Sequence, residues 1–248
     1  MSSSSRFKKI CISSLTSVML LGALTACAEK PAPAKAAPIK TADNHGEAEP
    51  VNTNLTAKDF DPAGIATLVE GKDYTKVAAP QPVQIAGKPE VIEFFWYGCP
   101  HCYKVEPAVK AWLPTKAKDA NFIRLPAQWA PAMVQHQKMA LSLQALKKSD
   151  AIEPKVFQAI QEQGRGLDSA DKITAFMVEN GIDESTWEQT FNSFNINTEV
   201  AKADALFKAY GLQGVPAFIV NGKYLVQGTS ARSLQVVNKL IEQDKGKK

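Results

Sequence analysis

Cys99-Pro100-His101-Cys102 is the segment of this chain whose residue types and spacing can do chemistry. Two cysteines three positions apart on the first turn of a helix have β-carbons roughly 5–6 Å apart, close enough for a disulfide after modest adjustment. Pro100 suits the first helical position, because its missing N–H is one that a helix start leaves unpaired anyway. Cys99 then stands at the helix N-terminus, where free backbone amides and the positive end of the helix dipole favour an anionic sulfur. His101 adds to this: an imidazolium, or a neutral ring donating a hydrogen bond, favours a thiolate over an uncharged disulfide. Stabilising the reduced dithiol makes the disulfide form the stronger oxidant, and a stabilised thiolate leaves more readily. The chemistry encoded is thiol–disulfide exchange, carried by two sulfurs without a bound cofactor.

The rest of the cysteine inventory supports a chemical rather than an architectural pair. The chain has 248 residues and four cysteines. Arg6, Lys8 and Lys9 precede an apolar stretch from Ile10 to Leu24 that only small polar residues interrupt. This resembles a bacterial export signal and is too short and too broken by Ser and Thr for a membrane span. It ends in Leu24-Thr25-Ala26-Cys27, which resembles the lipobox of bacterial lipoproteins, where the chain is cut before the cysteine and that cysteine carries the lipid. Residues 1–26 are then a lipoprotein signal peptide and Cys27 tethers the chain to a lipid membrane; the alternative is cleavage after Ala26 that leaves a soluble protein with a spare thiol. Under the lipoprotein reading Cys11 leaves with the leader and Cys27 is acylated, so Cys99 and Cys102 are the remaining pair. A bridge closing so short a loop removes little chain entropy, which argues against a structural staple. A structural zinc would need a second ligand pair, so no metal site is assigned; a soft-metal carrier using two thiolates is the binding-module alternative.

The formal charge is +4, of which Arg6, Lys8 and Lys9 contribute three, so the processed chain carries about +1 and nothing calls for a nucleic-acid partner. Residues 27–57 are rich in Ala, Pro, Lys, Glu, Asn and Thr and nearly devoid of large apolar side chains, the composition of a flexible linker. As a coil of some 30 residues it spans roughly 30 Å on average and ~100 Å if extended.

The elements that must position the cysteines follow. Asp73 to Val77 and Val83 to Ile85 read as short extended pieces. Val91-Ile92-Glu93-Phe94-Phe95-Trp96-Tyr97 is a nearly continuous run of strand formers, the pattern of a strand buried on both faces, and Gly98 ends it. Val105, Val109, Trp112 and Leu113 recur at helical spacing after the cysteine motif, with Pro107 predicting a kink. Asn121 to Gln128 predicts a strand, and Pro131 to about Asn195 a helical region interrupted near Ser149, Gly164 and Gly181. A helix from Thr198 to Tyr210 then leads to Ala217-Phe218-Ile219-Val220, Asn221-Gly222 and Lys223-Tyr224-Leu225-Val226, a strong hairpin signal. Ser230 can cap a last helix, Ala231 to Gln243.

From about residue 70 to the C-terminus the chain resembles the DsbA family of periplasmic disulfide oxidases, in which a helical domain interrupts a thioredoxin core. The resemblance is carried by Glu93-Phe94-Phe95 leading into Cys99-Pro100-His101-Cys102-Tyr103, by Gly214-Val215-Pro216-Ala217, and by Val220-Asn221-Gly222-Lys223-Tyr224. It implies an α/β protein with a thioredoxin fold, its core in residues 58–130 and 198–248 and a helical insertion at 131–197. It also implies a redox-active Cys99–Cys102 disulfide that is donated to unfolded exported clients and regenerated by a DsbB-like quinone-linked membrane partner. Pro216 matches the family's loop proline, which follows a cis peptide bond and faces the cysteines, leaving the backbone of Val215 free to pair with a client. Glu93 matches a buried family acid near the second cysteine, with a proton-relay role. Arg124, where the family often has lysine, is its candidate partner. A disulfide isomerase or reductase is the alternative on the same fold; Pro100-His101 and the Val before Pro216 favour oxidation. The location implied is the periplasmic face of a bacterial membrane, the inner one being favoured by the quinone-linked partner. Trp96, Tyr97, Trp112 and Trp129 read as core or groove wall, and His45 and His136 as solvated.

Overall fold

The computed structural model describes residues 54–116 and 120–245. Cys11, Cys27, His45, the whole leader and all but the last few linker residues lie outside them. The run read as a doubly buried strand forms β2, Glu90–Phe95, and every one of its six residues is buried. Alternate side chains face opposite layers, as the period of two requires. Val91 packs with Val105, Val109 and Trp112 of α1 (Pro100–Lys116) and with Leu234, Val237 and Leu240 of α7 (Ala231–Lys245). Ile92 and Phe94 face the other way, against Phe207 of α6 (Phe194–Ala209) and Tyr210 and Leu212 beyond it.

Five strands form one mixed sheet in the order β1-β5-β4-β2-β3. β2 and β3 (Asn121–Pro126) run parallel through the α1 crossover, and Glu93 pairs in register with Arg124. β4 (Ala217–Val220) and β5 (Tyr224–Gln227) form the predicted hairpin. Asn221 and Gly222 both have positive φ, 51° and 67°, as a type I′ turn demands. Gly222 is also required sterically, because a Cβ there would lie 1.9 Å from the Gln81 carbonyl oxygen.

Between β3 and α6 the chain departs from the sheet into α2 (Val134–Ala145), α3 (Ser149–Gln161), α4 (Ala170–Glu179) and α5 (Glu184–Phe191). Their shared core of Met139, Leu143, Ile152, Val156, Phe157, Met177 and Trp187 continues without a break into Phe95, Tyr97, Cys99 and Cys102. The cysteine motif therefore sits on the seam between sheet and helical layers.

Several local expectations change. Of the two extended pieces, only Thr75–Lys76 is a strand, β1, paired with β5. Val83 to Ile85 is loop, because the amides of Gln84 and Ile85 bond to Glu90 Oε2, at 2.8 and 2.9 Å, instead of to a strand. α6 begins four residues earlier than predicted, capped by Ser193, whose hydroxyl accepts from the Ile196 amide at 3.2 Å. α1 is continuous through both Pro107 and Pro114. An ordered turn, Ala57–Phe60, is capped by reciprocal contacts between Thr56 and Asp59 and buries Phe60. Among the described residues no helix is long and apolar enough to cross a membrane.

Candidate active site

The turn between β2 and α1 builds the site. Gly98 lets the Trp96 ring fold back over the chain, since a Cβ at position 98 would lie 2.3 Å from that ring. The Cys99 amide donates to the Trp96 carbonyl at 3.0 Å and the Cys99 carbonyl accepts from the Tyr103 amide at 3.1 Å. Cys99 is thus the N-cap of α1, a position where a side-chain acceptor meets free backbone amides. Its sulfur takes hydrogen bonds from the Cys102 thiol and from the backbone amides of Cys102 and His101, and the charge of His101 acts in the same direction. Together these outweigh burial and bring the Cys99 thiol down from 9.0 to about 6. Both cysteines are free thiols in this structure.

Cys102 has the opposite environment. It is fully buried, and burial, its hydrogen bond to an anionic Cys99, and the charges of Cys99 and Glu93 all push its thiol far up. A pair whose environments drive the two thiols apart has one sulfur set to leave as thiolate and one set to keep its proton. Pro100 and His101 are exposed on the outer side of the turn. Across from them the Cys99 Sγ donates to the Val215 carbonyl at 3.4 Å, and the Val215-Pro216 peptide is cis. The structure thus brings Cys99, Pro100, His101, Cys102, Val215 and Pro216 to one place.

Glu93 lies behind Cys102, fully buried, and Arg124 does reach it: Nε donates to Glu93 Oε2 at 2.8 Å. The same guanidinium also pairs with Glu106 of α1 and, at 2.8 Å, with Glu153 of α3, while stacking 4.4 Å over the Phe95 ring. Three carboxylates around one cation would leave two uncompensated charges in a largely buried site if all were ionised. Burial, reinforced by the charges of Glu106 and Glu153 and only partly offset by Arg124, raises Glu93 from 4.5 to about 7. Glu106 is raised as well, chiefly by burial. Burial by itself would lower Arg124, but its three carboxylates override that and hold it charged.

Sequence reasoning missed Glu106 and Glu153. Glu106 carried a usable signal, since it follows Cys102 by four positions and shares its helix face. Glu153 carried none, because only the packing of α3 on α1 and α2 brings it to Arg124.

His136 is a correction. It is buried rather than solvated, with 5% of its surface exposed. Its Nδ1 accepts from Trp96 Nε1 at 3.0 Å, which fixes the remaining proton on Nε2, where it donates to the Gly166 carbonyl at 2.8 Å. Burial accordingly lowers its pKa. Tyr97 and Trp112 are core residues, whereas Trp96 is half-buried and Trp129 is 54% exposed. Trp129 stacks on Phe207 and lines a groove of about 640 Å³ with Leu212.

The chain that carries this site is similar to known proteins in sequence and in fold. The model of the DSBA-like thioredoxin domain family matches residues 116–242. The thiol:disulfide interchange protein DsbA of Burkholderia cepacia is 36% identical over 191 residues, covering 75% of this chain and 90% of that protein. The DsbA of Pseudomonas aeruginosa is likewise 36% identical, over 179 residues, covering 71% of this chain and 85% of its relative. The chain belongs to the DsbA family. Its fold is the DsbA-like thioredoxin fold with an inserted helical domain. The crystal structure of Pseudomonas aeruginosa DsbA superposes with a TM-score of 0.70 at 35% identity, covering 73% of this chain and 96% of that one. Reduced DsbA1 from Neisseria meningitidis gives a TM-score of 0.67 at 27% identity, covering 74% and 98%. The family model begins beyond the cysteine motif, so the reading of residues 99–102 rests on the geometry described above.

Proposed function

We propose that this chain is a thiol:disulfide oxidoreductase that donates a Cys99–Cys102 disulfide to exported client proteins. The observation that carries this reading is the Cys99 sulfur at the N-cap of α1, held below the ordinary thiol range, beside a Cys102 that keeps its proton. A client thiolate attacks the Cys99 sulfur of the disulfide, the Cys99–Cys102 bond breaks, and Cys102 leaves and is protonated, with Glu93 as the buried acid at hand. A second client thiolate then attacks the client sulfur of the mixed disulfide and Cys99 departs as thiolate, so the client is oxidised by two electrons and the enzyme reduced by two. His101 and Pro100 set the electrostatics and start of the helix. The Val215 carbonyl, already against Cys99, and the Pro216 turn supply a main-chain edge on which an extended client can pair.

The reduced dithiol is reoxidised by a DsbB-like quinone-linked membrane partner. Residues 1–26 are the export signal, Cys27 carries the lipid, and the segment that follows tethers the domain to the periplasmic face of the membrane. Cys27→Ser should release the protein to the soluble fraction; a variant that stays membrane-bound refutes the anchor.

The central test is covalent trapping. Cys102→Ala should accumulate client adducts through Cys99 that dithiothreitol releases, and Cys99→Ala should accumulate none. Absence of adducts, together with a Cys99–Cys102 pair that stays reduced in cells, would refute donation.

A further inference from the structure

The carboxylate cluster behind Cys102 draws on four separate elements. Glu93 comes from β2, Arg124 from β3, Glu106 from α1 and Glu153 from α3 in the helical insertion. Tyr97, in the turn after β2, turns its hydroxyl toward Glu153, and Cys102 on α1 feels the charge of Glu93. These are the titratable and charged groups that face Glu93 from the elements packed on it. The side chain of Glu153 is 4% exposed, so its carboxylate is as much a core group as Glu93 itself. It takes Nη1 of the guanidinium at 2.8 Å while Glu93 takes Nε and Glu106 takes Nη2. Glu93 Oε1 has no hydrogen-bond donor among the described residues. Glu153 Oε1 lacks a donor among them as well. One cation is therefore divided among three acids, and of the two that keep a spare oxygen Glu93 is the one whose charge reaches the buried cysteine.

We propose that Glu153 is a positioning residue for the dithiol reaction: by holding one arm of Arg124 and placing a third negative charge in the cluster, it keeps a proton on Glu93 where Cys102 can draw on it. The inference rests on the oxidoreductase reading and deepens it. When a client thiolate opens the disulfide, Cys102 departs with the electron pair of the S–S bond and takes the Glu93 proton, leaving Glu93 as carboxylate beside Arg124. No other reactant is needed, and charge is conserved, since the incoming thiolate's charge ends on Glu93. When the partner reoxidises the dithiol, Glu93 recovers the proton from Cys102. α3 thereby sets the proton inventory of a reaction that takes place in the turn between β2 and α1. Like charges raise a neighbouring acid's affinity for its proton, so loss of the Glu153 charge should lower that of Glu93.

The experiment is a ¹³C carboxyl NMR titration of Glu93 in reduced wild-type protein, in Glu153→Gln and in Glu153→Leu. Gln keeps an acceptor for Arg124 and removes only the charge; Leu removes the charge with its desolvation cost and keeps the test open if one variant folds poorly. The expected result is a fall of about one pH unit in the Glu93 midpoint, a tenfold loss of proton affinity. The pH profile of mixed-disulfide formation with a dithiol peptide should move by the same amount, and Glu153→Gln should leave the profile unchanged on a Glu93→Gln background. A Glu93 midpoint that stays or rises overturns the proposal and leaves Glu153 as a clamp for α3. A midpoint that falls while the peptide profile stays also overturns it. Wild-type protein that fails to oxidise the peptide at any pH would instead remove the oxidoreductase reading, while the NMR titration still reports on the coupling.

Discussion

Replacing Glu93 with Gln should change how stability depends on pH, with a sign opposite to that usual for a carboxylate. In the folded protein burial lifts this acid from 4.5 to about 7. Between those values the folded state holds a proton that the unfolded chain has released, so raising the pH favours unfolding. The stability associated with protonated Glu93 is complete below pH 4.5 and is lost as pH rises through about 7. At 1.36 kcal/mol per pH unit the full effect is about 3 kcal/mol, part of it shared with Glu106 on the same guanidinium. Gln keeps the shape and an acceptor for Arg124 Nε but has nothing to titrate. Urea unfolding of the reduced proteins, followed by tryptophan fluorescence from pH 4.5 to pH 8.5, gives the difference between wild type and Glu93→Gln, in which the other groups largely cancel. The variant should gain about 3 kcal/mol on wild type across that range, most of it between pH 5 and pH 7. A difference that does not vary with pH, or that favours wild type at alkaline pH, refutes the reading of Glu93 as a proton-holding acid.

Other outcomes follow from the same structure. Alkylation of reduced protein should modify Cys99 with a midpoint near pH 6 and spare Cys102, and a midpoint at 8 or above would remove the N-cap argument. At pH 7 that shift is worth about tenfold in the reduced form, or ~30 mV in potential relative to the same couple with an ordinary thiol, and His101→Ser should forfeit part of it in a glutathione equilibrium. His136→Phe leaves Trp96 Nε1–H and the Gly166 carbonyl without partners and should cost about 2 kcal/mol by urea unfolding, with a change in Trp96 emission. Because burial lowers His136 from 6.5, its contribution is complete above pH 6.5 and is lost as the pH falls; a variant as acid-sensitive as wild type in this range would refute that. Gly222→Ala should cost at least about 2 kcal/mol, read as a lower unfolding midpoint, since its Cβ meets the Gln81 carbonyl and its φ is left-handed.

Much of this protein was legible in its residues because the signals are local. Cys99 and Cys102 sit three apart beside a proline and a histidine, and the chemistry of that spacing does not depend on what the rest of the chain does. The apolar run of β2 and the Asn221-Gly222 turn declare themselves by periodicity and by the backbone angles they require. Glu93 stood out as an acid inside an apolar strand, and Arg124 as its partner was a matter of matching two strands. What tertiary structure decided was the company these groups keep. Glu153 is far along the chain from Glu93 and joins its cluster through Arg124 only because α3 packs on α1 and α2. His136 looked solvated because one helix supplied no reason to bury it, and it is the Trp96 ring from another element that gives it a partner. Thiol chemistry follows from residue type and short-range spacing. Proton affinity is different: it sums desolvation and charge over every neighbour in a low-dielectric interior, and those neighbours are chosen by packing.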